Sequence, residues 1–226
     1  MVIKSFERLT SNTNSVYLGT NMAQAAFNAA NVQGSKPDAV VRYLDPVWAL
    51  LQKYDNDSSN QPYSPYGGTP NPDYIWDQPT SDGQRVAFAS TTGANFVTNG
   101  TTMSFSVFLV AFADNAMEAK IELFELMGGE QGEYVKAAPQ PAGLDELVLV
   151  AGKPNIPAEG LTEIEPYNWQ NICVYSTCFT VDAPENRVIK IVVSFEVTNY
   201  LVTNPPKPNP AGLQFFLDIY SDLDIE

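Results

Sequence analysis

Oxygen-bearing side chains at alternate positions are the first feature of this sequence that could bind a ligand. Asp55, Asp57 and Ser59 have the spacing with which calcium-binding loops present their ligands. A complete EF-hand loop also needs glycine at its sixth position and glutamate at its twelfth, where this chain has Asn60 and Tyr66. Asp55, Asp57 and Ser59 are therefore candidate ligands for a divalent cation, and a solvated turn with local hydrogen bonds is the favoured interpretation.

Aromatic residues in the long segment from Tyr54 to Ser81 suggest a second kind of site. Tyr63, Tyr74 and Trp76 lie close to Asp77 in a stretch that is rich in asparagine and proline. Aromatic faces beside carboxylate and amide groups suit the binding of a neutral glycan. The same rings could instead anchor the loop to the body of the protein, which is the favoured interpretation.

Histidine is absent from all 226 residues, and this absence excludes several classes of enzyme. Without imidazole there is no Ser-His-Asp triad, no Cys-His pair and no histidine-containing zinc site. The carboxylate pairs Glu122/Glu125 and Glu163/Glu165 could serve a glycosidase only if both acids faced one cleft, which spacing along the chain does not establish. We therefore predict a protein that is not an enzyme and that has no cofactor.

The charge balance bears on the choice of partner. The chain has 26 acidic and 12 basic residues, a formal net charge of −14, and only 17% charged residues in total. Nucleic acids and anionic membrane surfaces bind through lysine and arginine, so this chain is expected to bind neither. A surface rich in uncharged amides and hydroxyls instead favours contacts between copies of the protein.

The acidic C-terminus and the two cysteines have ordinary interpretations. Asp218, Asp222, Asp224 and Glu226 form an acidic C-terminus that is typical of a solvated end, with a cation-bridged contact between molecules as the alternative. If Cys173 and Cys178 lie on one strand, their side chains point to opposite faces and cannot form a disulfide, whereas a hairpin between them could allow one. Buried free thiols are the favoured interpretation, and the sequence alone leaves the pairing open.

The N-terminal region differs from the rest of the chain. Residues 1–38 are predicted to form an N-terminal arm with a short helix at Asn21–Ala30, because alanine favours helix and the apolar residues share one side. Met1–Leu18 lacks the basic and apolar regions of a secretory signal, and no stretch is long and apolar enough to span a membrane. A cytoplasmic location is therefore expected.

Residues 39–226 are predicted to form the second region, an all-β domain. A first strand is expected at Val40–Leu44, with a short helical turn at Val47–Leu51. The remaining β segments follow Gly83 and are separated by Pro/Gly-rich breaks, and the pattern predicts a two-sheet antiparallel β-sandwich of the jelly-roll kind with about eight strands. These segments are Arg85–Ser90, Ala94–Val97, Thr102–Ala113, Lys120–Met127, Glu146–Ala151, Ile172–Val181, Val188–Leu201 and Leu213–Tyr220.

A strand, acidic residue and amphipathic turn occur at Ala39–Leu51, and an Asn/Pro/Ser-rich loop begins at Gln52–Pro62. A strand–turn–strand unit follows at Val86–Gly100, an aromatic-rich strand at Ser194–Tyr200 and the ending at Gly212–Ile225. In this order the segments resemble the PixA/AidA family of bacterial inclusion-body proteins. Tyr220-Ser-Asp-Leu stands where the family usually has an aromatic Trp-Asp-Pro ending. The resemblance implies a β-sandwich that accumulates as ordered inclusions in the bacterial cytoplasm, and it implies no catalytic residues.

The sequence therefore predicts a structural protein that assembles with itself. The expected partner is another copy of the chain, as a homo-oligomer or a higher assembly. The alternatives are a carbohydrate-binding module that uses the loop around Trp76 and a viral coat or appendage subunit. A neutral glycan and a divalent cation remain the candidate ligands.

Overall fold

Two antiparallel sheets and one short helix make up this protein in a computed structural model that describes residues 5–39, 72–81, 83–129, 132–152, 172–199 and 211–224. This architecture confirms the predicted two-sheet β-sandwich. Sheet A contains β1 (Ser5–Thr10), β3 (Asp38–Ala39), β4 (Ile75–Trp76), β7 (Thr101–Asp114), β11 (Cys173–Ala183) and β13 (Gly212–Asp224). Sheet B contains β2 (Tyr17–Gly19), β5 (Arg85–Thr91), β6 (Asn95–Val97), β8 (Ala116–Met127), β9 (Glu133–Lys136), β10 (Leu147–Ala151) and β12 (Arg187–Thr198).

Long strands form the centre of each sheet. In sheet A, β7 pairs with β11 on one side and with β13 on the other, and β13 also pairs with β1 and β4. In sheet B, β12 pairs with β8 and β5, and β10 and β2 lie at the ends of the order. The described residues contain no helix that is long and apolar enough to cross a membrane.

Alternation along the strands places the core between the two sheets. On β7, Phe105, Val107 and Leu109 face inward, and their exposed neighbours Ser106 and Phe108 face outward. From Leu109 onward both faces of β7 are buried, as its apolar sequence predicted. Aromatic rings join the sheets across the core: the centroids of Phe195 on β12 and Phe215 on β13 are 4.7 Å apart, and those of Trp76 and Phe88 are 5.8 Å apart.

The N-terminal residues belong to the sandwich, so the predicted boundary after residue 38 is wrong. β1 pairs with β13 over six residues, from Ser5↔Ser221 to Thr10↔Phe216, and β2 pairs with β5. The sequence predicts an arm here because β1 has only six residues and β2 only three, and strands this short show too little periodicity to be recognised from sequence alone. Their place in the sheets depends on partners far away in the sequence.

The predicted helix is confirmed as α1 (Met22–Ala30). The Asn21 side chain caps its N-terminus by accepting a hydrogen bond from the Gln24 backbone N–H. Gly19 precedes it at a close approach, since a Cβ there would lie 2.2 Å from the Ala25 nitrogen. The absence of a side chain at this position lets the chain turn tightly from β2 into α1.

α1 covers part of the outer face of sheet B. Its buried alanines pack against Ala87, Ala89 and Val192, and these small side chains allow the helix to lie close to the sheet. Beneath the end of the helix, Lys190 Nζ donates a hydrogen bond of 2.7 Å to the Ala30 carbonyl and lies 4.0 Å from the Tyr134 ring centroid. Burial lowers the pKa of Lys190, and the helix C-terminus and the ring stabilise its charge.

Candidate functional site

The aromatic residues predicted to bind a glycan lie in different environments. Tyr74 and Trp76 are buried, with exposed fractions of 5% and 0%, so neither ring offers a face to a sugar and this part of the prediction is wrong. Trp76 Nε1 donates a hydrogen bond of 3.0 Å to Gln84 Oε1. Asp77 is exposed beside them, and Tyr63 lies outside the described residues. The two buried rings therefore anchor the chain, the alternative that the sequence favoured.

The proposed cation ligands Asp55, Asp57 and Ser59 also lie outside the described residues. Within the described ranges, no group of three or more Cys, Asp or Glu side chains is close enough together to hold a metal ion. The described carboxylate pair, Glu122 and Glu125, forms salt bridges with basic side chains. Lys136 Nζ lies 2.8 Å from Glu122 Oε1, and Arg187 Nη2 lies 2.7 Å from Glu125 Oε2. Glu163 and Glu165 are not among the described residues.

Both cysteines are free and lie on β11, so the hairpin alternative is wrong. Their spacing of five residues places them on opposite faces of the strand, as predicted for a single strand. Cys173 faces the core side and burial raises the pKa of its thiol. Cys178 is exposed on the outer face of sheet A, in contrast to the expected buried thiol.

Four exposed apolar side chains lie on the outer face of sheet A, whereas part of the outer face of sheet B is covered by α1. Phe6, Phe108, Val174 and Tyr220 come from β1, β7, β11 and β13, and we call this surface the apolar face. The rings of Phe6 and Tyr220, which are directly opposite each other on paired strands, have centroids 5.0 Å apart. Large exposed apolar groups from four adjacent strands are a recognised sign of an interaction surface.

An ion pair in the middle of the apolar face leaves no net charge there. Arg8 lies opposite Asp218 in the register, and its Nε and Nη2 atoms donate to the two carboxylate oxygens at 2.5 and 2.6 Å. The hydrogen bond to Asp218 raises the pKa of Arg8. The Arg8 guanidinium also lies 4.8 Å from the Phe216 ring centroid. This part of sheet A is therefore apolar and electrically neutral, although the whole chain carries a charge of −14.

The β11 edge adjoins the apolar face. β11 has 11 residues, pairs with β7 without a register shift, and has no other partner among the described strands. Its only charged residue is Asp182, near the end of the strand. Edge strands are usually protected by short length, charge or a bulge. The edge of sheet B has such protection, since β10 has five residues and a register shift between Leu147 and Leu149.

A cavity of about 640 Å³ lies beyond Tyr220, where outward side chains of sheet A line it together with Phe105, Phe179 and Ser221 of the same strands. Pro141 and Ala142, from the connection between β9 and β10, also line it. The outward side chains along it are Ser104, Ser106, Cys178, Thr180, Tyr220 and Asp222.

Asp222 is 7% exposed and Asp218 is buried as well, so the described part of the acidic C-terminus is a strand and not the solvated end that its charge predicted.

Comparisons with known proteins add no family to this description. No family model matches the chain, and no curated protein is similar to it at a significant level.

Proposed function

We propose that this protein is a non-enzymatic structural protein that assembles with copies of itself through the apolar face and the adjoining β11 edge. The observation that carries the proposal is the neutral, apolar surface from Phe6 to Val174 beside a long edge strand whose only charged residue is Asp182, near its end. The expected product is a dense assembly or inclusion in the cytoplasm, in keeping with the resemblance to inclusion-body proteins.

Electrostatics favour a second copy at this particular surface. Two molecules of charge −14 repel each other over most of their surfaces, and repulsion is weakest where the surface has no net charge. On the apolar face the Arg8–Asp218 pair is neutral, and the exposed side chains around it are apolar or uncharged, such as those of Phe108, Ser106 and Ser176. Contact there removes apolar area from water and places few like charges together.

The two surfaces have complementary roles in growth. A face that meets the same face of a second copy forms a closed pair, which cannot grow by that contact alone. The β11 edge supplies a second, different contact, because its outward N–H and C=O groups can extend the sheet with a strand of another molecule. Together the two contacts allow pairs to join into larger bodies.

Two valines provide a matched test. Val174 on β11 is 55% exposed, and Val150 on β10, the edge strand of sheet B, is 56% exposed. We expect Val174→Lys to weaken self-association about tenfold or more, because it removes an apolar contact and places an ammonium group in an apolar interface. We expect Val150→Lys to change it less than about twofold. Sedimentation velocity over a range of protein concentrations measures both.

Two results would contradict the proposal. One is a wild-type protein that stays monomeric at all accessible concentrations, and the other is an equal loss of association in the two lysine variants. Electron microscopy of the assembled protein separates the classes of assembly: amorphous or crystalline bodies support the proposal, and closed shells support a coat subunit instead.

A further inference from the structure

We propose that the cavity beyond Tyr220 binds an organic ammonium ion, with the Asp222 carboxylate as its counter-ion. This proposal does not rest on self-assembly. It rests on a carboxylate that no described residue pairs with, a row of oxygen acceptors beside it and an aromatic wall.

Asp222 is unusual on its own sheet face. It is 7% exposed and lines the cavity, yet within the described part of the chain no hydrogen bond or ion pair reaches its side chain. Two other aspartates of this face have partners: Asp218 is paired with Arg8, and Asp182 accepts a hydrogen bond of 2.7 Å from Thr102 Oγ1. The Asp222 carboxylate oxygens face the cavity without a donor from the described residues, so they are open to a ligand that supplies donors and positive charge.

Strand register places further acceptors beside Asp222. Thr180 on β11 and Asp222 on β13 both lie directly opposite Ser104 on β7. Cβ atoms of directly opposite residues are about 4.5 to 5.5 Å apart, so the three side chains form one short row. A primary ammonium group has three N–H donors, and the row presents one carboxylate and two hydroxyl oxygens to accept them.

The next row of the cavity suits the organic part of such a ligand. Tyr220 lies opposite Ser106, two residues along from the acceptor row, and its ring is close to that of Phe6. An aromatic ring beside an ammonium site stabilises the cation through its face and packs against apolar groups. A volume of about 640 Å³ is within the range of small-molecule sites, so the cavity has room for more than a bare ion.

Other ligand classes fit these observations less well. A calcium ion needs six to eight oxygen ligands, and the described residues contain no cluster of three acidic or thiol side chains. An anion would meet Asp222 and a net charge of −14. A neutral sugar could donate hydroxyl protons to Asp222 but would leave its charge uncompensated. The sugar is therefore the rival that the test must separate.

A pair of nearly isosteric probes tests whether charge is recognised. The full-length protein is titrated with 2-phenylethylammonium chloride and, separately, with neutral 2-phenylethanol, and two-dimensional NMR spectra follow the cavity residues. We expect the ammonium ion to bind about tenfold or more tightly than the alcohol, as a charge-assisted hydrogen bond implies. Protein concentrations below the onset of self-association keep failure of this test separate from failure of the proposed function.

Two aspartate variants provide the matched comparison. Asp222→Asn and Asp182→Asn change the net charge equally, and both residues lie on the outer face of sheet A. We expect Asp222→Asn to weaken binding of the ammonium probe about tenfold, and Asp182→Asn to weaken it less than about twofold. Asp222→Asn should also leave the melting temperature nearly unchanged, because the described residues give Asp222 no hydrogen bond or ion pair to lose, whereas a structural role for Asp222 would lower it.

Thr180→Val gives a second variant on an exposed position, so the test does not depend on the folding of Asp222→Asn alone. We expect it to weaken binding of the ammonium probe about threefold or more, since one acceptor is lost. The proposal is overturned if the alcohol binds as tightly as the ammonium ion, if both aspartate variants keep wild-type affinity, or if no binding is seen at millimolar probe. Binding of methyl glucoside that Asp222→Asn abolishes would also overturn it, in favour of a neutral-sugar site.

Discussion

At the scale of single residues, Trp76 shows how burial decides the role of a side chain. Its ring has no exposed surface, packs near Phe88 on the opposite sheet, and donates its N–H to Gln84. Buried tryptophan needs such a polar partner, and Gln84 also donates from Nε2 to the Asp77 carbonyl at 2.8 Å. The buried Trp76 ring and the hydrogen bonds of the Gln84 side-chain amide thus anchor this segment to the core.

We expect Trp76→Ala to lower the free energy of unfolding by about 3 to 5 kcal/mol, the usual cost of deleting a buried aromatic ring. Phe96→Ala is the control, because Phe96 on β6 is exposed and its truncation should cost less than about 0.5 kcal/mol. Urea denaturation followed by circular dichroism measures both values. A loss below about 1 kcal/mol for Trp76→Ala would contradict its place in the core.

At the scale of secondary-structure elements, β11 connects the apolar face, the cavity and the sheet edge. Its outward residues include Val174, Cys178 and Thr180, and its inward residues Phe179 and Val181 complete the core. The parallel stacking of the Phe105 and Phe179 rings, with centroids 5.1 Å apart, fixes β11 against β7 on the core side. The strand is therefore firmly held on one face while its other face is available for contacts.

We expect assembly to protect the Cys178 thiol from chemical modification. In a Cys173→Ser variant, the rate at which a maleimide reagent modifies Cys178 should fall about tenfold or more above the onset of self-association, because the contact covers the outer face. The same measurement in Cys173→Ser combined with Val174→Lys is the control, and its rate should change little with concentration. An unchanged rate in the assembled protein would exclude β11 from the contact.

The elements also show which parts of the fold could be predicted from sequence. Strands of ten or more residues, such as β7, β11 and β12, carry their own alternation and were located to within a few residues. β1, β2, β3, β4 and β9 have six residues or fewer and were not predicted, because segments this short carry too little alternation of their own. The predicted strand Val40–Leu44 and the turn Val47–Leu51 lie outside the described residues.

The candidate site was harder to predict than the strands. Thr180, Ser104 and Asp222 come from three separate strands, and only the register of sheet A places them in one row. The sequence around Asp222 resembles a solvated acidic end, and no local pattern indicates that this carboxylate is buried. A signal was present in the strict alternation of Ser104 and Ser106 with Phe105 and Val107, which showed that β7 has one polar face.

At the scale of the whole molecule, net charge controls how closely copies can approach. The chain carries −14 near neutral pH, and its isoelectric point is about 4.2. As pH falls toward that value, carboxylates take up protons and the repulsion between molecules decreases. The apolar face itself carries the neutral Arg8–Asp218 pair, so the change in repulsion comes mainly from the rest of the surface.

We therefore expect assembly to increase from neutral pH toward about pH 4 and to reverse as pH rises toward about 9. Light scattering at fixed protein concentration measures this dependence. Added salt at neutral pH is the control, since screening of the same charges should also increase assembly. Scattering that is independent of both pH and salt would show that charge does not limit association.

Tyr220 lies both on the apolar face and in the wall of the cavity. A small cation seated against this ring would occupy part of the area that another molecule covers in an assembly. Linkage then requires that cation binding weaken self-association by the same factor by which self-association weakens cation binding. Binding of such a cation would therefore favour dissociation of the assemblies. Assembly would in turn lower the affinity of the protein for the cation, so the two processes are linked in one equilibrium.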